Sequence, residues 1–129
     1  MNRAGFRLRA MAALAVAAGL FAVLRVARPR RVLVTGMSMA PTLLPGDRLL
    51  VVRSRRLRPG DLVAVADPRR SGRLLVKRVA AVSGGLVELR GDNPRHSTDS
   101  RVFGRVPRRS VRGRVVRRYG PPARRGPLR

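Results

Sequence analysis

Hydrophobic positions divide the chain into one long apolar run near its start and many short apolar runs after it. Residues 10–24 carry no charged and no strongly polar side chain. As a helix, this run spans about 22 Å at about 1.5 Å per residue, and continuing to Ala27 brings it closer to the ~30 Å hydrocarbon core of a bilayer. This extension requires Arg25 to reach the interface with its long side chain. We therefore predict a basic segment over 1–9 and a transmembrane anchor over 10–27.

A cleavable signal peptide is the alternative interpretation of the same run. The small residues Ala15-Val16-Ala17 offer a cleavage site of the kind that ends a signal peptide. An uncleaved anchor is favoured because Arg25, Arg28, Arg30 and Arg31 follow the run at once. Positive charges flank the run on both sides, so the charge distribution leaves its orientation in a membrane open.

From residue 31 onward, short Val/Leu-rich runs alternate with Gly, Pro and Asp, which is typical of strands and turns. The predicted strands are Arg31–Val34, Arg48–Arg53, Asp61–Ala66, Arg73–Val82, Leu86–Arg90, Val102–Val106 and Val111–Tyr119. Short strands at this spacing favour an all-β fold, a compact barrel or sandwich, over 31–119. The Pro/Gly/Arg-rich residues 120–129 are predicted to form a disordered basic tail.

Composition narrows the chemistry of this domain. A chain of 129 residues allows one small domain, and the absence of cysteine excludes disulfides and thiol chemistry. His96 is the only histidine, so a histidine-rich metal site is excluded, and we expect neither a metal nor a cofactor. His96 itself is interpreted as an exposed loop residue.

The net charge of +24 predicts attraction to anionic surfaces, either membrane headgroups or nucleic acid. A basic nucleic-acid or membrane-binding module without catalysis is therefore one functional hypothesis. One Tyr and three Phe provide no platform for base stacking, and no zinc-finger or helix-turn-helix pattern is present. We accordingly expect no nucleic-acid partner.

The choice between lysine and arginine is the most informative feature of the composition. All but one of the 30 basic residues are arginine, and the exception is Lys77. Arginine stays protonated in proteins, whereas a lysine amine can lose its proton in an apolar pocket. Lys77 is therefore a candidate general base, although a compositional accident would also leave a single lysine. It lies inside the strand-like run 74–79, where alternation alone does not decide whether its side chain is buried.

A general base requires a nucleophile, and Ser38 is the best candidate among the few serines. Gly36 precedes it and Pro41 follows it, which predicts a bent segment that leaves the first strand. An ordinary turn serine is the alternative.

Four sequence boxes give the chain a resemblance to the type I signal peptidases. The residues Gly36-Met37-Ser38-Met39-Ala40-Pro41-Thr42-Leu43 resemble the nucleophile box of that family, and residues 45–51 resemble its next box. Lys77-Arg78-Val79 matches the start of the general-base box, and residues 91–104 match the last box, which contains Gly-Asp-Asn and Ser-x-Asp-Ser-Arg. Residues 80–85 depart from the family pattern, which usually continues to a Gly and then Pro-Gly-Asp. No room exists for the accessory domain of larger members, so the resemblance implies a minimal catalytic core of the signal-peptidase type.

The resemblance also implies a set of site residues. Ser38 would be the nucleophile and Lys77 its base. Ser97 would orient the lysine amine, Asp99 and Arg101 would form a bracing ion pair, and Asp92 with Asn93 would shape the supporting turn. The Ser38 backbone N–H would be one oxyanion donor. Some family members carry a second donor, a serine hydroxyl, at the position that Gly36 occupies here.

The function implied by the resemblance is a serine endopeptidase, anchored in the cell membrane by a single span, that removes leader peptides after small residues. Its partners would be precursor proteins and anionic membrane lipids, and its catalytic domain would lie on the extracytoplasmic side. A dedicated maturation protease of the same family, with one client such as a metalloenzyme precursor, is the alternative within the family.

Overall fold

The computed structural model describes residues 3–26 and 28–128, and its first element is a single apolar helix, α1 (Arg3–Val26). The stretch Arg3–Ala22 is not buried inside the described structure, and by length and composition it is long and apolar enough to cross a membrane. Most of the predicted basic segment 1–9 therefore belongs to the helix, since α1 begins at Arg3. Ala27, the last residue of the predicted anchor, lies outside the described residues.

The rest of the described chain is mostly a curled antiparallel sheet, which confirms the prediction of an all-β domain behind an N-terminal helix. Its strands are β1 (Arg30–Leu33), β2 (Arg48–Val52), β3 (Leu62–Ala66), β4 (Leu74–Ser83), β5 (Leu86–Arg90), β6 (Val106–Pro107), β7 (Val111–Gly120) and β8 (Gly126–Pro127). They pair in the order β1-β2-β7-β3-β4-β5-β6, and β8 pairs with β7.

Two hydrophobic clusters form the core, and β3 contributes to both. Leu62 and Ala64 belong to the first cluster, and Val63 and Val65 belong to the second. Successive residues of a strand point to opposite faces, so both faces of β3 are covered. This explains why the strand is apolar at every position. The first cluster also holds Met39 and Leu43 of the segment after β1, which ties that segment to the sheet.

The sequence prediction of a strand over Val102–Val106 is wrong for most of that range. Residues Ser100–Phe103 form a short helix, α2, and only Val106 joins a strand. The Asp99 carboxylate accepts a hydrogen bond from the Arg101 N–H, and Gly104, at φ 81°, closes the turn with its N–H on the Ser100 carbonyl. An aspartate N-cap and a glycine after the last turn stabilise helix rather than strand.

The prediction of a disordered tail over 120–129 also differs from the structure. Pro122–Arg124 forms a 3₁₀ turn, and β8 (Gly126–Pro127) pairs with β7. The Arg124 guanidinium reaches the buried Asp47 carboxylate, with Nε 2.8 Å from Oδ1. This ion pair gives the tail a fixed position that its composition does not reveal. Arg129 lies outside the described residues.

Candidate active site

The side chain of Lys77 is buried in the core. Leu75, Lys77 and Val79 share one face of β4 and are 8%, 2% and 1% exposed. In the register of β3 and β4, Lys77 lies opposite Val63, which is fully buried in the second cluster. The Lys77 side chain therefore lies on the buried face of β4, which decides the question that sequence alternation left open.

A short chain of hydrogen bonds holds the amine from one side. Lys77 Nζ donates to Ser97 Oγ at 3.1 Å, and Ser97 Oγ donates to Asp99 Oδ2 at 2.9 Å. Asp99 is fully buried, and its carboxylate also accepts from the Gly91 N–H at 2.9 Å and from Arg101 Nη2 at 2.7 Å. Ser97 thus lies between the amine and a carboxylate that Arg101 and backbone N–H groups hold in place.

Burial is the largest influence on the charge of Lys77, and it lowers the pKa of the amine from the ordinary lysine value. The negative charge of Asp99 opposes this shift, whereas the positive charges of Arg69 and Arg73 add to it. Burial also disfavours ionisation of Asp99, but the hydrogen bonds from Arg101, Gly91 and Ser97 outweigh that effect and lower the pKa of the carboxyl. The site therefore makes the uncharged form of the amine easier to reach, beside a carboxylate that stays ionised.

The segment that carries Ser38 is fixed by Asn93. The Asn93 N–H donates to the Ser38 carbonyl at 2.9 Å, and its side-chain Nδ2 donates to the Met37 carbonyl at 3.0 Å. Two consecutive carbonyl groups of the segment are thereby held by one residue. Asn93 acts on the backbone at Ser38 and leaves the serine hydroxyl uninvolved.

Asp92 joins the same segment to β4. Its carboxylate accepts from Arg78 Nε at 2.9 Å and Nη2 at 2.7 Å, and from Thr42 Oγ1 at 2.7 Å. Arg78 is the neighbour of Lys77 on the strand, and Thr42 lies four residues after Ser38. The carboxylate therefore fixes the Ser38 segment relative to the strand that presents the lysine.

Gly91 shows how closely these parts approach one another. A Cβ on this residue would lie 2.1 Å from Ser97 Oγ and 2.7 Å from the Ser38 carbonyl oxygen. Ser38 and Ser97 consequently meet across Gly91, and no side chain fits between them. Among residues 3–26 and 28–128, no hydrogen bond joins Ser38 Oγ to Lys77 Nζ directly. Catalytic hydrogen bonds are often long without substrate and shorten in the Michaelis complex.

Ser38 is half-buried and opens onto a groove of about 80 Å³ between β1 and β4. The groove is lined by Val32, Leu33, Val34, Thr35, Gly36, Met39, Arg73, Leu74, Leu75 and Val76, and its surface is about half polar and half apolar. A serine hydroxyl on an open groove, together with a buried amine whose pKa is lowered, can carry out nucleophilic attack with proton transfer.

An ion-pair cluster at Asp47 also supports the Ser38 segment, and sequence reasoning missed it. Asp47 is 1% exposed and accepts from the Leu44 N–H at 2.9 Å and from the guanidinium groups of Arg118 and Arg124. Arg118 also donates to the Thr42 carbonyl at 3.1 Å. The Pro-Gly-Asp turn at Asp47 was visible in the sequence, but nothing distinguished these two arginines from the others.

The remaining chemical candidates lie apart from this network. His96 is exposed in the 3₁₀ turn Pro94–His96. Within the described part of the chain, no group of three or more His, Asp or Glu side chains is placed to hold a metal ion.

Comparison of the sequence with known proteins finds one matching family and several relatives that are membrane-associated proteases or signal peptidases by name. The family described as signal peptidase, peptidase S26, matches residues 7–92. The mitochondrial ATP-independent inner membrane protease subunit 1a of Arabidopsis thaliana is 35% identical over 123 residues, covering 74% of this chain and 73% of that protein. The mitochondrial inner membrane protease subunit 1 of Xenopus tropicalis is 32% identical over 122 residues, covering 76% and 73%. Signal peptidase I U of Bacillus subtilis is 32% identical over 79 residues, covering 58% and 42%.

The burial of Lys77 predicts that Lys77→Met stabilises the fold, because methionine fills similar space without a group that loses hydration. We expect a gain of about 1–4 kcal/mol in the free energy of unfolding near neutral pH. Because the pKa of the Lys77 amine is lowered in the folded protein, the amine binds its proton more tightly in the unfolded chain than in the folded one. The gain should be largest below the lowered pKa and should vanish as pH rises past the ordinary value of 10.5.

Denaturant unfolding of the detergent-solubilised chain at several pH values measures this effect. Arg78→Met, on the opposite face of the same strand, is the matched control and should destabilise the fold because Asp92 loses its only ion-pair partner among the described residues and keeps only the hydrogen bond from Thr42. A Lys77→Met variant that is destabilised at every pH would contradict the burial of an unfavourable charge.

Proposed function

The chain belongs to the signal peptidase family, peptidase S26, and from this premise we propose that it is a membrane-anchored serine endopeptidase with Ser38 as nucleophile and Lys77 as general base. Its substrates are precursor proteins, from which it removes leader segments. The observation that carries the proposal is the buried amine of Lys77, fixed by Ser97, in a site whose groove exposes Ser38.

The reaction begins when Ser38 Oγ attacks the carbonyl carbon of the scissile peptide. Lys77 Nζ takes the hydroxyl proton as the new C–O bond forms. The carbonyl oxygen becomes an oxyanion, which accepts a hydrogen bond from the Ser38 N–H. When the C–N bond breaks, the Lys77 ammonium returns the proton to the leaving amine. A water molecule then hydrolyses the ester by the same steps, with Lys77 taking the proton of water and giving it to Ser38.

Ser97 and Asp99 act on the lysine rather than on the substrate. Ser97 accepts from Nζ at 3.1 Å and so limits the directions in which the amine can point. The Asp99 carboxylate, one hydrogen bond further away, stabilises the ammonium that forms during attack. Asp99 is held by Arg101, so its charge persists while the lysine gains and loses a proton.

The groove beside Ser38 supports cleavage after small residues. Its volume of about 80 Å³ matches a short side chain better than a large one. Val32 and Leu33 of β1 and Leu74, Leu75 and Val76 of β4 line it, so an extended substrate segment can lie between the two strands near Ser38. Family resemblance implies the same preference.

The helix α1 supports a retained membrane anchor. The relatives from Arabidopsis thaliana and Xenopus tropicalis are named as inner membrane protease subunits, and α1 is long and apolar enough to span a bilayer. We place this chain in the cell membrane by a single span, with the β domain on the extracytoplasmic side. There the domain would meet both emerging precursors and anionic lipid headgroups.

Lys77→Arg should abolish cleavage, because a guanidinium keeps the positive charge but cannot serve as a base. We expect a rate loss of at least about a thousandfold, and the same loss in Ser38→Ala, which removes the nucleophile with little change in packing. The assay incubates detergent-solubilised protein with a panel of leader-bearing precursors and sequences the new amino termini. Cleavage of one client alone would instead favour a dedicated maturation protease.

Wild-type-like cleavage by either variant would remove that residue from the mechanism. Because Lys77→Arg places a bulky guanidinium in the core, its folding is checked by the same denaturant assay. If Lys77→Arg fails to fold, Ser38→Ala still tests the assignment of the nucleophile.

Gly36→Ser should increase the cleavage rate, because it restores the hydroxyl donor that some family members carry at this position. A Cβ on Gly36 would meet nothing within 4 Å, so the side chain fits without strain. In natural enzymes, one oxyanion-hole donor increases the rate about a hundredfold or more, and a newly introduced hydroxyl should increase the cleavage rate roughly tenfold. Gly36→Ala is the control and should give no increase, since it adds bulk without a donor. Equal rates in Gly36→Ser and Gly36→Ala would contradict an oxyanion site at Gly36.

A further inference from the structure

A cleft lined mostly by arginine shares no lining residue with the Ser38 groove. It consists of two adjoining cavities, of about 770 Å³ and about 310 Å³, which share Arg53, Arg109, Val111 and Arg112 in their walls. We call this feature the arginine cleft, and its basic residues are Arg28, Arg30, Arg53, Arg55, Arg108, Arg109 and Arg112.

The arginines of the cleft have no acidic partner among the residues that the structure describes. The chain has six acidic residues, and each is used elsewhere: five form the ion pairs at Asp47, Asp67, Glu88, Asp92 and Asp99, and Asp61 accepts the Arg58 N–H in its own turn. Among residues 3–26 and 28–128, no acidic side chain forms an ion pair with any arginine of the cleft.

The guanidinium groups of the cleft are also largely free of hydrogen bonds within the described chain. Only Arg108 donates from its side chain, to the Ser54 carbonyl. Each guanidinium presents several N–H donors in a planar fork that matches the oxygens of a phosphate group. Like charges gathered in one cleft repel one another unless an anion lies between them. The cleft is therefore chemically suited to a phosphate-bearing ligand.

The position of the cleft indicates which phosphate it meets. Arg28 follows the end of α1 at Val26 by two residues, and Arg30 is the first residue of β1. If α1 spans the bilayer, Arg28 and Arg30 lie at the level of the lipid headgroups, where basic side chains attract anionic lipids. The same strand continues to Val32 in the Ser38 groove, so a ligand at Arg30 would fix the groove relative to the membrane surface.

We propose that the arginine cleft is a binding site for the phosphate groups of anionic phospholipids. This inference rests on the membrane placement of α1 in the proposed function, and it does not depend on the peptidase chemistry. Lipid bound there would hold the β domain against the bilayer with the groove facing emerging substrate.

Native mass spectrometry of the full-length chain from mixed micelles tests the proposal by counting retained phosphatidylglycerol and phosphatidylcholine. The cleft variant is Arg109→Gln with Arg112→Gln. The matched control, with equal loss of charge, is Arg58→Gln with Arg117→Gln, two exposed arginines outside the cleft. We expect wild type and control to retain phosphatidylglycerol about tenfold over phosphatidylcholine, and the cleft variant to lose most of this preference. Equal retention by all three proteins would overturn the proposal.

Two further measurements distinguish a phospholipid from a soluble phosphate or a nucleic acid as the ligand of the cleft. Inorganic phosphate at millimolar concentration should not displace phosphatidylglycerol, because a free anion gains nothing from the membrane. Displacement by phosphate, or by a short oligonucleotide at physiological salt, would reassign the cleft to a soluble anion or to nucleic acid and overturn the lipid site. Ser38→Ala should retain lipid like wild type, so the failure of the peptidase assignment and the failure of the lipid site are distinguishable.

Discussion

Lys77 is buried in the core, and this burial lowers the pKa of its amine, so the uncharged form is easier to reach than it is in water. The strand β4 places it there by presenting Leu75, Lys77 and Val79 on one buried face. The hydrogen bond to Ser97 fixes the orientation of the amine. The nearby Asp99 carboxylate stabilises the ammonium whenever the amine takes up a proton. The proposed chemistry depends on this balance between burial and one remote negative charge.

The few acidic residues of a very basic chain fix the loops around that amine. Asp99 holds the Ser97 loop, Asp92 joins the Ser38 segment to β4, and Asp47 joins the same segment to the C-terminal tail. Each carboxylate accepts several charge-assisted hydrogen bonds, which are stronger than neutral ones. Seven of the arginines outside these clusters line the arginine cleft, so the scarcity of acidic residues also accounts for an unpaired basic surface.

The local sequence pattern predicted much of the sheet and most residues proposed for the site, and the features that it did not predict depend on contacts distant in sequence. The strand at Leu86–Arg90 was predicted with its observed bounds, because turn signals flank a short apolar run. The burial of Lys77 could not be derived from alternation, since Leu74, Leu75 and Val76 are all apolar and only the curled sheet decides which face is covered. The order of the tail depends on the contact of Arg124 with Asp47, 77 positions apart in sequence, which no local pattern reveals.

Direct titration of the Lys77 amine tests the central claim, and the composition makes it simple. Because Lys77 is the only lysine, a chain labelled with ¹³C-lysine gives one Cε resonance, whose shift reports the protonation of Nζ. We predict a midpoint below the ordinary lysine value of 10.5 in the folded protein, and a return to that value in denaturant. A folded-state midpoint at the ordinary value would show a solvated ammonium and would contradict the assignment of Lys77 as the base.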